Sequence, residues 1–544
     1  MAPTFEPPGP GQWAIDRSHY PSGVTPISQW LLTKGIEQGV AQVFEELGVP
    51  AAGFDVRFVN GFMYTRLRPL IGGNSKPRKP PPLPIMKLVT RLHPEFRKRN
   101  AAAIASLRDH PSRQVVRRWE TELQPRLAQT NAAFQAVDPQ ASSDADLQEH
   151  ISTLLDQLAK NFALHFWLHG HDLGPIARYL HASLRWGLDP IVAISALAGA
   201  SPSTARPLAV LCRLREMLES QPTPVATLGE LHASSTQAAN LIDDYFEFQG
   251  HILVTGYDLD ARTLIEVPHA VLNSIRSAVP VPMHNADSVA GELRNQLDAA
   301  DRPDFDLHLA DAREVMDMRD ENGPLTIEWP MGLLRRALLE AGRRLTTLGA
   351  ISSAEHLFEL TAVEVRSLFD GSIPAAAVLS ERADKRAAQG RLSPPSMLGP
   401  AEPDPPLDAL PKALAELIET TRVATKYLGL DQRPGTSNAL KGAGIGTTRY
   451  VGTARVASSA DQALDQLEPG DVLIVRATSP AFNAVLSIAG AVVTADGGVL
   501  SHAAVLSREL AIPAVIGAPG ALDIADGATV EVDPVAGLVR VFNV

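Results

Sequence analysis

The run TADGGVLSHAA over residues 494–504 sets a single histidine, His502, where a phosphoryl group can be held. Gly497 and Gly498 let the backbone turn tightly and come close to a ligand. Ser501 is a residue type that caps helices, which places His502 in the first turn of the helix that follows. The leading amides of a helix have no intrahelical acceptor and its dipole is positive at that end, so an anionic adduct is favoured there. The chemistry indicated is nucleophilic: an imidazole nitrogen attacks phosphorus and carries the group. The alternative for such a histidine is a helix-end residue with no chemistry.

The elements that must position His502 can be read around it. AAVLSREL over 503–510 has helical spacing with a charged Arg508-Glu509 end, and AIPAVIG over 511–517 reads as a turn into a buried strand. Short β-rich runs at 446–456, 471–476, 491–494, 514–516 and 529–532 alternate with helices at 460–467 and 501–510. They define a compact β/α domain over 441–544, with Gly442 to Gly446 as its flexible lead-in. From 85 to 392 apolar residues recur at three- and four-residue spacing, in 147–168, 208–218, 309–318 and 331–348, which predicts a large helical domain. Residues 1–74 form a small α/β part, with a helix over 35–47 and a hairpin over 54–66 around Asn60-Gly61. Proline-rich stretches at 74–84 and 393–406 read as linkers, the second continuing through a helix to 440. The fold class expected is α+β multidomain: a mostly α-helical body followed by the β/α domain.

Composition narrows the function. A chain of 544 residues is long enough for two to four domains, and a net charge of -12 disfavours a nucleic-acid partner. Cys212 is the single cysteine, which leaves no internal disulfide or thiolate cluster and suits buried packing. The N-terminus lacks a basic and apolar leader and no run of 18 apolar residues occurs, so a cytoplasmic protein without a membrane partner is expected.

The composite T-x-x-G-G-x-x-S-H-A-A, then R-E, then I-P-x-V-x-G resembles the phosphohistidine swivelling domain of phosphoenolpyruvate synthase, pyruvate phosphate dikinase and rifampicin phosphotransferase, the PEP-utilising enzyme mobile domain family. Upstream, Trp13-x-x-Asp16-x-x-His19-x-Pro21, residues 59–64, Gly250-His251 with Glu266-x-Pro268, and Arg313-Glu314 look like the antibiotic-binding central part of rifampicin phosphotransferase. The resemblance implies that His502 is the phosphohistidine and that Thr494, Gly497, Gly498, Ser501 and Arg508 support the phosphate. It further implies that Arg313 approaches the transferred group and that His251 is a catalytic base lining the acceptor pocket. Two departures stand out: Ile252 where those relatives place Arg, and Asp317, followed by Arg319, where Lys is expected. The ATP-grasp domain of those enzymes has no counterpart, no Gly-x-x-x-x-Gly-Lys-Ser/Thr loop occurs, and Gly442-Ala-Gly-Ile-Gly446 is only a weak match. The arrangement is similar to phenylphosphate synthase, which splits the two functions between subunits. ATP and Mg²⁺ are then expected on a separate ATP-grasp partner, with none bound stably by this chain, and the acceptor is a phenol or apolar alcohol.

At the acceptor end, His165, His169, His171 and Asp172 form the densest cluster, with His165 and His169 on one helical face and Trp167 beside them. Three readings stand: an acceptor site with a histidine base, a zinc site, which no H-E-x-x-H pattern supports, or helix-end structural residues. Asp243 and Asp244 read either as acceptor-pocket groups, binding Mg²⁺ or polarising a histidine, or as a solvated helix face. Arg91, Arg97, Lys98, Arg99, Arg113, Arg117 and Arg118 form a basic run that is a dock for an acidic partner or a solvated face. No metal site is expected. The reading is an ATP-dependent, dikinase-type phosphotransferase component; the alternatives are a non-catalytic ligand-binding or regulatory protein, and a phosphocarrier donating to another protein.

Overall fold

The computed structural model describes residues 3–542, except 17–18, 21–22, 73–80, 279, 281–284, 403–405, 429–439, 479–481 and 487. Much of the first proline-rich stretch, part of the second, and Pro21 lie outside the described residues. The chain forms two compact units: residues 1–174, 258–260 and 322–421, and residues 175–257, 261–321 and 422–544.

The first unit is built on α1 (Pro26–Leu47), which starts on the Thr25 cap with proline at its first position and ends at left-handed Gly48. Buried Asp258 accepts the Thr25 N–H at 2.7 Å and the Ser28 hydroxyl at 2.6 Å. Burial and neighbouring Asp260 push its carboxyl up to about 6, against the pull of those hydrogen bonds. A small antiparallel sheet follows, in the order β2 (Ala51–Val59), β3 (Phe62–Pro69), β1 (Trp13–Ile15) and β4 (Met397–Leu398). Asn60 and Gly61, at φ 50° and 81°, make the turn whose twist suits a two-residue hairpin. Leu83 and Pro84, read as the end of a linker, instead open α2 (Leu83–Leu92).

The 42-residue helix Asp144–Arg185 supplies the first unit with Leu147, Ile151, Leu154, Leu155, Leu158 and Phe162, all fully buried. It lies close against α1, where a Cβ on Gly39 would stand 2.2 Å from the Ala163 carbonyl oxygen. Gly39→Ala therefore sets a steric cost of about 3 kcal/mol against a helix-propensity gain of about 1 kcal/mol. We expect a net loss of roughly 2 kcal/mol in urea unfolding; an unchanged midpoint would show that the helices separate freely.

The second unit joins helices from the 190–321 stretch to a seven-stranded sheet. Its strands are β5 (Ala443–Ile445), β6 (Tyr450–Ala457), β7 (Val472–Val475), β8 (Ala491–Thr494), β9 (Ala514–Ile516), β10 (Thr529–Asp533) and β11 (Leu538–Phe542). The order is β11-β10-β6-β7-β8-β9-β5, parallel from β6 to β9 and antiparallel at both margins. Val472, Ile474, Val493, Val515 and Val530 fill one side of it, and the near-continuous apolar runs are those of parallel strands covered on both faces. The stretch expected to be a flexible lead-in is an edge strand, because β5 pairs along β9. Among the described residues, no helix is long and apolar enough to cross a membrane.

Candidate active site

His502 stands at the junction of β8 and the helix His502–Glu509. Thr494, the last residue of β8, is fully buried; its hydroxyl accepts the Gly517 N–H at 3.1 Å and its carbonyl accepts the Ala518 N–H at 2.8 Å, tying the loop to the end of β9. Gly497 takes φ 114°, a conformation that L side chains rarely adopt. The Ser501 N–H donates to the Gly498 carbonyl at 2.8 Å and its hydroxyl caps the helix through the Ala504 N–H at 3.5 Å. The Leu500 N–H donates to the Tyr427 carbonyl at 2.8 Å. The imidazole is held by its Nδ1, 2.9 Å from the hydroxyl of largely buried Thr478. Thr478 lies outside the motif and became visible only through the parallel pairing of β7 with β8.

Arg508 runs back along the helix to donate from Nη2 to the Val499 carbonyl at 3.2 Å. Burial pulls its guanidinium down to about 10, with Glu509 opposing the shift. Glu509 is itself buried and accepts the Gly199 N–H on both oxygens at 3.2 Å.

Arg313 is engaged elsewhere in this unit: its Nε donates to the Ala196 carbonyl at 2.8 Å and its Nη1 pairs with exposed Asp287 at 2.8 Å. Asp317 has a structural reason to replace the expected lysine. It accepts the Ser203 N–H at 2.8 Å and the Ser201 hydroxyl at 3.3 Å, capping the helix Pro202–Glu219. His251 follows Gly250, the C-cap of the helix Thr236–Gln249, and the backbone around it is tied to 264–265 through the Gly250 and Ile252 carbonyls. Asp243 and Asp244 face solvent, with Asp243 bonded to His232 Nε2 at 3.0 Å. They form an exposed helix face.

In the first unit, His165 and His169 are brought together, their ring centroids 4.4 Å apart and nearly perpendicular. His165 Nδ1 is 3.1 Å from the Thr326 hydroxyl. Burial, then the neighbouring His169 and His19, hold it well below the ordinary histidine range, so it is neutral at pH 7. His169 Nδ1 is 2.9 Å from fully buried Asp172, which fixes the ring. His171 is not part of this pair: it points to α1, where Glu46 accepts from its Nε2 at 3.3 Å and from Trp167 Nε1 at 2.7 Å. His19 is bonded to Asp16 at 2.9 Å; burial opposes its charged form, but Asp16 outweighs it and raises its pKa.

Glu328 is a group the sequence reading passed over. It ends a π-helical turn, Pro324–Glu328, whose Thr326 holds His165, and such turns recur at functional sites. Its carboxyl is buried, its Oε1 has no hydrogen-bond partner among the described residues, and burial pushes it up to about 8. Among the described residues, no three His, Cys, Asp or Glu side chains gather as they would around a metal ion.

Comparison with known proteins adds to this geometry. Residues 467–537 match the family described as PEP-utilising enzyme, mobile domain. Chondramide synthase cmdD of Chondromyces crocatus is 27% identical over 577 residues, which cover 97% of this chain and 14% of its own length. Uncharacterized phosphotransferase YvkC of Bacillus subtilis is 26% identical over 322 residues, 56% of this chain and 36% of its own. Phosphoenolpyruvate synthase of Aeropyrum pernix is 40% identical over 89 residues, 16% of this chain and 11% of its own. The chain thus spans a minor part of each of these relatives. The matched stretch runs from before β7 to past β10 and has the His502 turn at its centre, so this part of the chain is a PEP-utilising enzyme mobile domain.

Proposed function

We propose that the chain is a phosphotransferase component in which His502 takes a phosphoryl group from a separate ATP-grasp protein, which binds ATP and Mg²⁺, and passes it to the hydroxyl of a phenol or apolar alcohol. The observation that carries this reading is the imidazole at the start of a capped helix with Nδ1 on Thr478. The family match and the similarity to a phosphotransferase and a phosphoenolpyruvate synthase support phosphohistidine chemistry. Donation of Nδ1–H to the Thr478 oxygen puts the reacting lone pair on Nε2. In the first step an Nε2–P bond forms as the P–O bond to the donor breaks. In the second the acceptor oxygen attacks phosphorus, its proton passes to a base, and the P–N bond breaks to regenerate neutral His502. His251 is the base we assign to that proton. The reaction belongs in the cytoplasm, where ATP is supplied.

Incubation with β-labelled ATP tests this with and without an ATP-grasp protein. Acid-labile label on the chain only when that protein is present, followed by a labelled small molecule once a phenol is added, is the expected result. Label that never leaves for a small molecule would make the chain a phosphocarrier, and no label at all would leave a ligand-binding protein. Thr478→Val should slow labelling by about tenfold through loss of the preferred tautomer. An unchanged rate would remove Thr478 from the mechanism.

A further inference from the structure

In the first unit, α2 carries its apolar face outward. Ile85, Leu88, Val89 and Leu92 recur at i, i+3, i+4 and i+7, which sets them on one side of the helix, and they are 51%, 58%, 38% and 63% exposed. The opposite side holds α2 to its unit: the hydroxyl of buried Thr90 donates to the Ala409 carbonyl at 2.6 Å, and Lys87 reaches Asp408 at 3.8 Å. With its back fixed, the helix keeps these side chains in water, and a contiguous aliphatic ridge of this kind marks a docking surface. Charge indicates what docks there. Over 83–99 five Lys and Arg stand against one acid, Glu95, in a chain whose net charge is -12. Lys87 is matched by Asp408 and Lys98 by Glu45, and Arg99 is buried. Arg91, on the flank of the ridge, and Arg97, early in the helix Pro94–Asp109, are exposed and make no ion pair among the described residues. A second copy of the chain fits poorly, because the ridge offers a few hundred Å² against the roughly 800 Å² per partner of a stable interface. An anionic bilayer sets no such minimum: it moulds around a single convex helix, whose aliphatic side enters the acyl boundary while flanking arginines meet the headgroups.

We propose that α2 is a membrane-surface helix, which docks the chain on an anionic lipid bilayer through Ile85, Leu88, Val89 and Leu92, with Arg91 and Arg97 at the headgroups. The sequence-based expectation of no membrane partner rested on the lack of a spanning run, and a helix that lies in the interface needs none. The overall negative charge opposes approach from a distance, but at about 0.1 M salt it is largely screened beyond about 10 Å, and the local arginines then decide. The docking itself is independent of His502. Its link to function rests on the acceptor reading above, since a phenol or apolar alcohol concentrates in the same phase.

The test is sedimentation of the full chain with phosphatidylcholine vesicles containing about 30% phosphatidylserine. The expected result is binding that is at least about tenfold weaker on pure phosphatidylcholine and in about 0.5 M salt. Leu88→Asp should weaken it at least about tenfold, and Arg91→Glu combined with Arg97→Glu by a similar factor. Leu348→Asp, at a leucine 74% exposed elsewhere in the first unit, should leave it unchanged. A polarity-sensitive dye on Leu92→Cys, in a Cys212→Ser background, should shift to the blue when vesicles bind. No sedimentation with anionic vesicles would overturn the proposal and return the ridge to a protein partner. Equal binding to both kinds of vesicle, or by Leu88→Asp, would also overturn it, as would a dimer that Leu88→Asp dissolves, which would give the ridge to a second copy. Thermal unfolding of each variant separates lost docking from a failed fold. Vesicle binding needs neither ATP nor acceptor, so failure of phosphotransfer would leave the docking untouched.

Discussion

On the proposed route, replacing His502 by alanine is expected to abolish acid-labile phosphorylation and to lower transfer from an ATP-grasp protein to a phenol by at least about 10⁴-fold, the scale of effect seen when a covalent nucleophile is removed. The size follows from the route. With a covalent carrier, the donor and the acceptor never meet, so the variant has no slower version of the same path. The start of the helix does not depend on the imidazole, because Ser501 still caps it through the Ala504 N–H. Thermal unfolding within about 1 kcal/mol of the parent is therefore expected, and it makes the loss attributable to chemistry. Persisting label in His502→Ala, at a rate near that of the parent, would move the phosphoryl group to another residue.

The second large effect concerns Glu328 and needs no partner. Its carboxyl is raised by burial from an ordinary 4.5 to about 8. Between those values the folded protein holds a proton that the unfolded chain has released, so stability falls as pH rises through this window. The loss accumulates to about 3 kcal/mol by pH 7. Glu328→Gln imitates the protonated form at every pH. The gap between variant and parent should therefore widen by about that amount from pH 4.5 to pH 7 in urea unfolding. Parallel stability curves would show that Glu328 is ionised in the fold, with a partner or water stabilising its charge.

What the sequence made legible was local. The Asn60-Gly61 hairpin, the strands around 472–475 and 491–494, and the capped helix behind Gly497 each depend on a few neighbouring residues, and they lie where their chemistry predicts. What it hid depends on residues far apart in the chain. Thr478 meets His502 through a strand pairing that no spacing records. Asp317 stood out only as a departure from an expected lysine, because its role as the cap of a helix more than a hundred residues earlier is invisible in sequence. Glu328 escaped notice because a single acidic residue between Pro324 and Pro330 carries no periodic signal, and only the π-helical turn and its burial single it out. The final strand, β11, was missed because Arg540 interrupts a short apolar run. His165 and His169 do lie side by side, as their i, i+4 spacing requires, while His171 turns away to α1.

The place of β5 at the far margin of the sheet also sets a timetable for biosynthesis. Its partner β9 lies about seventy residues further along the chain, so at ribosomal speeds β5 waits roughly 4–14 s before that neighbour exists. During that interval the residues of the His502 turn are made, and β9 then joins β8 to β5, with β10 and β11 still to come. A nascent chain interrupted before β9 would display open strand edges at β5, β6 and β8, which invite pairing with other chains. His502 is thus synthesised while those edges are still exposed, and its loop is tied down only when Gly517 and Ala518, just past β9, bond to Thr494.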